Sequence, residues 1–152
     1  MKEFNSFKEI YDKSFELVKI ATSKINNSKD AIIFARKNFN KDILNSFYII
    51  GNLSTEQESL LKSKTKIIKF SVDSLIKNII KHPEIEFTDY YKINDIVIKP
   101  DKIRLSKSNN NSILLLKKEN KYYQIVIKTT IDKNENYLTS FRMLSEKEFN
   151  KH

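Results

Sequence analysis

The sequence contains no cysteine, one glycine and two prolines in 152 residues. Without cysteine there is no disulfide, no thiolate zinc site and no sulfur nucleophile. A single glycine, Gly51, cannot build the Gly-rich loops that cradle phosphates, because those loops need several positions free of Cβ hindrance. Two histidines, one of them the final residue His152, form no cluster for a transition metal. Apolar runs such as Phe47-Tyr48-Ile49-Ile50 and Ile113-Leu114-Leu115-Leu116 fall far short of the roughly 18 residues that cross a bilayer. Met1-Lys2-Glu3-Phe4-Asn5 lacks the apolar segment of a secretory signal. These absences predict a soluble, cytoplasmic chain and remove much of enzymology at once.

What is present is a core and a charge. Ten Phe, seven Tyr and 39% hydrophobic residues suffice to fill an interior despite a mean hydropathy of −0.51. A mass of 18.0 kDa suits one domain, or one domain with a helical appendage. The net charge is +9, with a sequence pI near 9.5. Such an excess favours polyanions or an acidic protein surface over a neutral metabolite, although a Lys/Ile/Asn-rich coding background also produces solvated lysines. Residues 1–65 carry 11 basic and 8 acidic side chains, against 17 and 11 in residues 66–152. The anion site is therefore to be sought in the C-terminal part.

The first third reads as helical. Phe4, Phe7, Tyr11, Val18, Ala21 and Ile25 share one face of a helix over residues 3–26, interrupted by Ser14. A second helix is predicted over 29–38, with Ile32, Ile33, Ala35 and Phe39 inward. The run from Ile43 to Ile50 is helix or strand, with Gly51-Asn52 as its stop. Ser54 and Gln57 then form a capping-box pattern that opens a helix to about Lys62. From residue 65 the grammar changes. Ile67-Ile68-Lys69-Phe70 is a strand, and a helix over 73–82 ends before Pro83. A shorter helical or turn element holds Tyr90, Tyr91, Ile93, Ile96 and Val97. Strands then dominate: Ile103-Arg104-Leu105, Ser112 to Lys118, Tyr122 to Thr130 and Tyr137 to Met143. They are joined by the polar turns Ser108-Asn109-Asn110-Asn111, Glu119-Asn120-Lys121 and Asp132 to Asn136, and Ser145 opens a terminal helix. The predicted fold is α+β: N-terminal helices, then a helix packed on an antiparallel sheet of about four strands. A boundary is expected near residues 62–66, dividing a helical region, 1–65, from a second domain, 66–152.

Two segments carry chemistry. His82, in Lys81-His82-Pro83-Glu84, is the only internal histidine, the residue type that ordinarily titrates near neutral pH. It is a candidate proton-transfer group, or simply a helix-ending residue whose imidazolium meets the carbonyl end of the dipole. In Thr139-Ser140-Phe141-Arg142, strand alternation places Ser140 and Arg142 on one face and Thr139 with Phe141 on the other. A guanidinium beside a hydroxyl is a phosphate clamp, or an ordinary exposed strand arginine. Lys128, with Tyr122, Gln124 and Val126 on its side of the preceding strand, joins that face if the hairpin register permits.

These segments together carry a resemblance. The runs 71–75 and 79–84, then Ile96 to Ile103, Tyr122 to Lys128 and Thr139 to Arg142, resemble the phage-associated barnase–EndoU–colicin–RelE-like nuclease domain over about residues 66–150. The resemblance implies a barnase/RelE-like fold and a metal-independent endoribonuclease with no cofactor. In such an enzyme the ribose 2′-hydroxyl attacks phosphorus to give a 2′,3′-cyclic phosphate. It implies His82 as base or acid, Arg142 on the phosphate, Ser140 as a hydrogen-bond donor and Lys128 as electrostatic support. Tyr123, Tyr122, Thr139 and Arg104 would bind substrate, and Glu84 is a possible second acid–base partner. The implied partners are RNA, such as tRNA or mRNA, and an acidic antitoxin or immunity protein, as for a toxin or phage-linked effector. A catalytically inactive nucleic-acid-binding, phage structural or protein-interaction module on the same scaffold is the alternative.

Overall fold

The computed structural model describes residues 2–108 and 111–152, so part of the polar turn expected at Ser108-Asn109-Asn110-Asn111 lies outside the described residues. Helix α1 (Phe7–Lys24) starts where the Ser6 side chain accepts a hydrogen bond from the Glu9 amide, satisfying one of the orphan donors of the first turn. It starts later than residue 3 because Phe4 is held by backbone bonding to Phe47. Its inner face buries Phe7, Ile10, Leu17, Val18 and Ala21, and Ser14 with them. Helix α2 (Ser28–Asn38) is capped by Asn27 and buries Ala31, Ile32 and Ala35. Ile33, expected inward, is exposed.

The ambiguous run resolves into both alternatives. A single helical turn, α3 (Lys41–Leu44), precedes strand β1 (Phe47–Asn52), and Gly51 sits inside that strand at a register shift. The capping box of Ser54 and Gln57 opens α4 (Thr55–Leu61) as expected. Strand β2 (Ile67–Ser71) runs directly into α5 (Val72–Lys81), and Ser71 caps the helix through the Ser74 amide. A 3₁₀ helix over Phe87–Lys92 leads into α6 (Ile93–Ile98). The remaining strands are β3 (Lys102–Leu105), β4 (Ser112–Lys118), β5 (Tyr122–Thr129) and β6 (Asn136–Leu144), followed by α7 (Glu146–Lys151).

The sheet has six strands in the order β1-β2-β6-β5-β4-β3. The expected four-stranded antiparallel meander is β3 to β6, and β2 and β1 extend it. β2 pairs with β6 in parallel, and only at Ile68–Asn136 and Lys69–Tyr137. Beyond that point β6 has α5 as its neighbour. The Phe141 N–H, which no strand can accept there, donates to Asn78 Oδ1 of α5 at 2.8 Å. Asn78 Nδ2 donates to the Tyr90 hydroxyl at 2.9 Å, and Asn78 is fully buried. A polar residue on the inner face of α5 is thus fully satisfied, which is the condition for burying one.

One apolar core crosses the expected boundary. It joins Phe4, Phe7, Ile10 and Val18 of the first third to Phe70, Leu75, Tyr90, Ile125 and Phe141. β1 belongs to the same sheet as the later strands. On the opposite face of the sheet, α7 seats Phe149 on Leu116 and Leu144, with Leu114 and Tyr122 at the margin. Among the described residues, no helix is long and apolar enough to cross a membrane.

Candidate active site

The register of β5 and β6 decides which side chains share a face. Gln124 faces Arg142, Val126 faces Ser140, and then the register slips so that Ile127 faces Leu138. Thr139 is the extra residue, bonded through its hydroxyl to the Val126 carbonyl at 3.3 Å. The bulge changes the strict alternation read from the sequence. Leu138 and Phe141 are buried inward while Tyr137, Thr139, Ser140 and Arg142 are only partly buried, so Thr139 stands with Ser140 and Arg142 rather than with Phe141. Lys128, paired with Tyr137 and exposed, lies on this same face. Re-aiming a side chain is the usual effect of a bulge near a binding site.

Helix α5 supplies the histidine. Ser74 shares a cavity wall with Thr139, and Asn78 is bonded to Phe141, so helix and strand run side by side in the same direction. Four residues beyond Asn78 advance the helix by about 6 Å, and two beyond Phe141 advance the strand by about 7 Å. His82 therefore arrives beside Met143 and Arg142. It ends the helix, its N–H donating to the Asn78 carbonyl at 2.8 Å. Its Nδ1 lies 3.5 Å from Glu84 Oε2, and the side chain is 22% exposed.

Partial burial pushes the His82 pKa below its ordinary value, and the positive charges of Arg142, Lys81 and Lys77 push the same way. Glu84 opposes them by favouring the imidazolium. The net effect leaves a neutral imidazole at neutral pH. With Nδ1 turned to Glu84, Nε2 is left for a ligand. Arg142 Nη1 is 3.3 Å from Glu148 Oε2 of α7, and the Ser145 amide, with Arg142 behind it, holds that carboxyl below the usual range. His82 and Arg142 are thus brought together, with Ser140 on the strand face beside Arg142.

The remaining expected site residues fall elsewhere. Tyr123 cannot offer its ring to a base: it is fully buried, packed at a tilt against Phe141 with ring centroids 5.4 Å apart, and its hydroxyl donates to Asp89 at 2.9 Å. It faces inward because it alternates with Gln124 and Tyr122 on β5, and burial raises its pKa. Tyr122 is on the outer face, one side of its ring occupied by Phe149 at 5.0 Å. Arg104 is on the edge strand β3, three strand spacings or about 14 Å from β6, and its guanidinium bonds the His152 and Ile103 carbonyls. It does not reach the His82–Arg142 pair. Lys128 and Thr139 line a cavity nearer the start of α5, and Lys128 is not among the charges that act on His82.

Sequence reading missed Asn78, Lys77 and Ser74. Asn78 could have been found, since an asparagine at a core position of an apolar helix demands partners. Lys77, also pushed down by burial and by Lys81 and Arg36, turns with Lys81 toward the same positive region. Among the described residues, no group of three or more His, Cys, Asp or Glu could hold a metal ion.

The sequence profile described as phage-Barnase-EndoU-ColicinE5/D-RelE like nuclease3 matches residues 48–151. Nothing among curated proteins or solved structures matches. The match takes in β1 to α7, including His82, the bulge and Arg142, and covers well over half of the sequence. The chain belongs to the phage-Barnase-EndoU-ColicinE5/D-RelE like nuclease family, and its fold is the α+β arrangement that carries this nuclease domain.

Proposed function

We propose that this nuclease is a metal-independent endoribonuclease acting on tRNA or mRNA, as a toxin or phage-linked effector. The observation that supports it is the neutral His82 next to Arg142 at the junction of α5 and β6. A neutral imidazole accepts the proton of a ribose 2′-hydroxyl. The freed oxygen attacks the adjacent phosphorus, the bond from phosphorus to the 5′ oxygen breaks, and that oxygen leaves as a hydroxyl by taking a proton from water, to which the imidazolium returns its own. The products are a 2′,3′-cyclic phosphate and a 5′-hydroxyl end. Arg142 holds the nonbridging oxygens, whose charge grows in the pentacoordinate state, and Ser140 adds a hydrogen bond. Glu84 orients His82 through Nδ1. Tyr122, Thr139 and Lys128 extend the contact with RNA along the strand face, under the steering field of a +9 chain. An acidic antitoxin or immunity protein would be drawn to the same face by the same charge.

The test is incubation with total tRNA in EDTA. Fragments ending in cyclic phosphate are expected. His82→Ala should abolish them, and Arg142→Ala should slow cleavage about 10²–10³-fold, both variants keeping the parent's circular dichroism. Intact tRNA and mRNA after exposure to folded protein would defeat the reading.

A further inference from the structure

We propose that the cavity between the start of α5 and the β5–β6 hairpin is a nucleoside-monophosphate subsite that seats one nucleotide of the bound RNA. The proposal rests on the endoribonuclease reading and deepens it. The cavity holds about 240 Å³, the scale of a single nucleotide rather than of a longer segment. On the α5 side it is walled by Ser71 and Ser74, and on the strand side by Lys128, Thr129, Tyr137 and Thr139.

The chemistry of these walls suits the edge and the face of a base and a phosphate. Among the described residues, the Ser74 hydroxyl and the Lys128 ammonium have no protein partner. A mixed donor–acceptor edge needs such hydroxyls, and a phosphate needs the cation. Tyr137 is pinned at its hydroxyl, which donates to Glu135 Oε2 at 3.2 Å, while the other oxygen of Glu135 accepts from Lys69 at 2.8 Å. A phenol ring fixed at its far end is a stacking surface of low entropic cost. Asp73, the one carboxylate at the cavity, is offset by Arg36, which holds it with two hydrogen bonds of 3.0 and 3.2 Å.

Position makes the cavity part of the same track as the proposed reacting centre. Ser74, Asn78 and His82 are spaced four residues apart on one side of α5. Ser74 is therefore about 12 Å from His82 along the helix axis. On β6 the bulge puts Thr139 and Arg142 on the same face. A strand of RNA held at Arg142 runs along β6 into the cavity. Lys128 and Thr139 then choose which linkage is cut, rather than assist the cut.

The four nucleoside 3′-monophosphates, the free nucleosides and inorganic phosphate should be titrated into the full chain, following backbone amides by NMR. Saturable shifts at Ser74, Lys128 and Thr139 are expected for at least one nucleotide. Ser74→Ala and Thr139→Val should weaken its binding roughly 3–10-fold, and Ser74→Ala should do so with unchanged thermal unfolding. Both variants should also redistribute the cleavage sites on tRNA. Inorganic phosphate binding as well as every nucleotide overturns the proposal, as do shifts centred on His82 and Arg142 or affinities unmoved by both variants. A protein that binds nucleotides here but cuts no RNA defeats the endoribonuclease reading and leaves this one standing. One that cuts RNA at unchanged sites in both variants and binds no nucleotide defeats this one alone.

Discussion

At the scale of single residues, His82 shows how much an environment adds to a side chain that sequence alone leaves ambiguous. The motif Lys81-His82-Pro83-Glu84 fits a helix-ending imidazolium equally well. What separates the two is loss of solvent, together with the company of Arg142, Lys81 and Lys77, all of which disfavour the charged form. A proton chemical-shift titration of the imidazole should give a midpoint below 6.5. Glu84→Gln removes the one charge that favours the imidazolium and should lower the midpoint further, whereas Arg142→Gln should raise it. Because the unfolded chain takes up this proton at a higher pH than the folded one, folding stability is full above about pH 6.5 and falls as pH drops through the folded midpoint. The acid limb of kcat/KM for RNA cleavage should share that midpoint. A midpoint above 6.5, or one indifferent to both substitutions, would show that Arg142 and Glu84 do not govern this imidazole.

Among the elements, the pairing of α5 with β6 makes the site. Strand alternation put Ser140 beside Arg142, and the structure keeps them so, but the two-residue period cannot announce a bulge. Alternation therefore places Thr139 on the wrong face, and the resemblance gives Tyr123 a substrate-binding role that its own alternation with Tyr122 and Gln124 denies it. Nor could β1 be read, because the run from Ile43 to Ile50 is apolar without a period, and its partner β2 lies some twenty residues on. Helix limits were clearer, since Ser54, Ser71 and Ser145 each carry a local capping signal. The joint itself depends on Asn78, which closes the free edge of β6 and ties Tyr90 to it. Asn78→Ala strands a buried N–H and a buried hydroxyl. The loss should be about 2–4 kcal/mol in urea unfolding, and amide exchange at Phe141 should quicken. A change under about 1 kcal/mol with Phe141 still protected would mean that α5 is held to β6 by apolar packing alone.

For the whole molecule, the question is whether the nuclease region stands by itself. The change from helices to strands near residue 65 invites a boundary, and composition offers nothing against one. Packing does: Phe4, Phe7, Ile10, Leu17 and Val18 are all nearly or fully buried in the core that also contains Phe70, Leu75 and Phe141. Each such side chain contributes roughly 1.5–3 kcal/mol on burial. Five of them amount to about 8–15 kcal/mol, comparable with the entire net stability of an ordinary domain, about 5–15 kcal/mol. A fragment of residues 66–152 also loses β1, so β2 becomes a bare edge next to an uncovered apolar face. That fragment should show no cooperative thermal transition by circular dichroism and poor amide dispersion by NMR, while the full chain unfolds in one step. Should the fragment melt cooperatively and cut RNA as the full chain does, the first third is an appendage, and its apolar face must serve something other than the core.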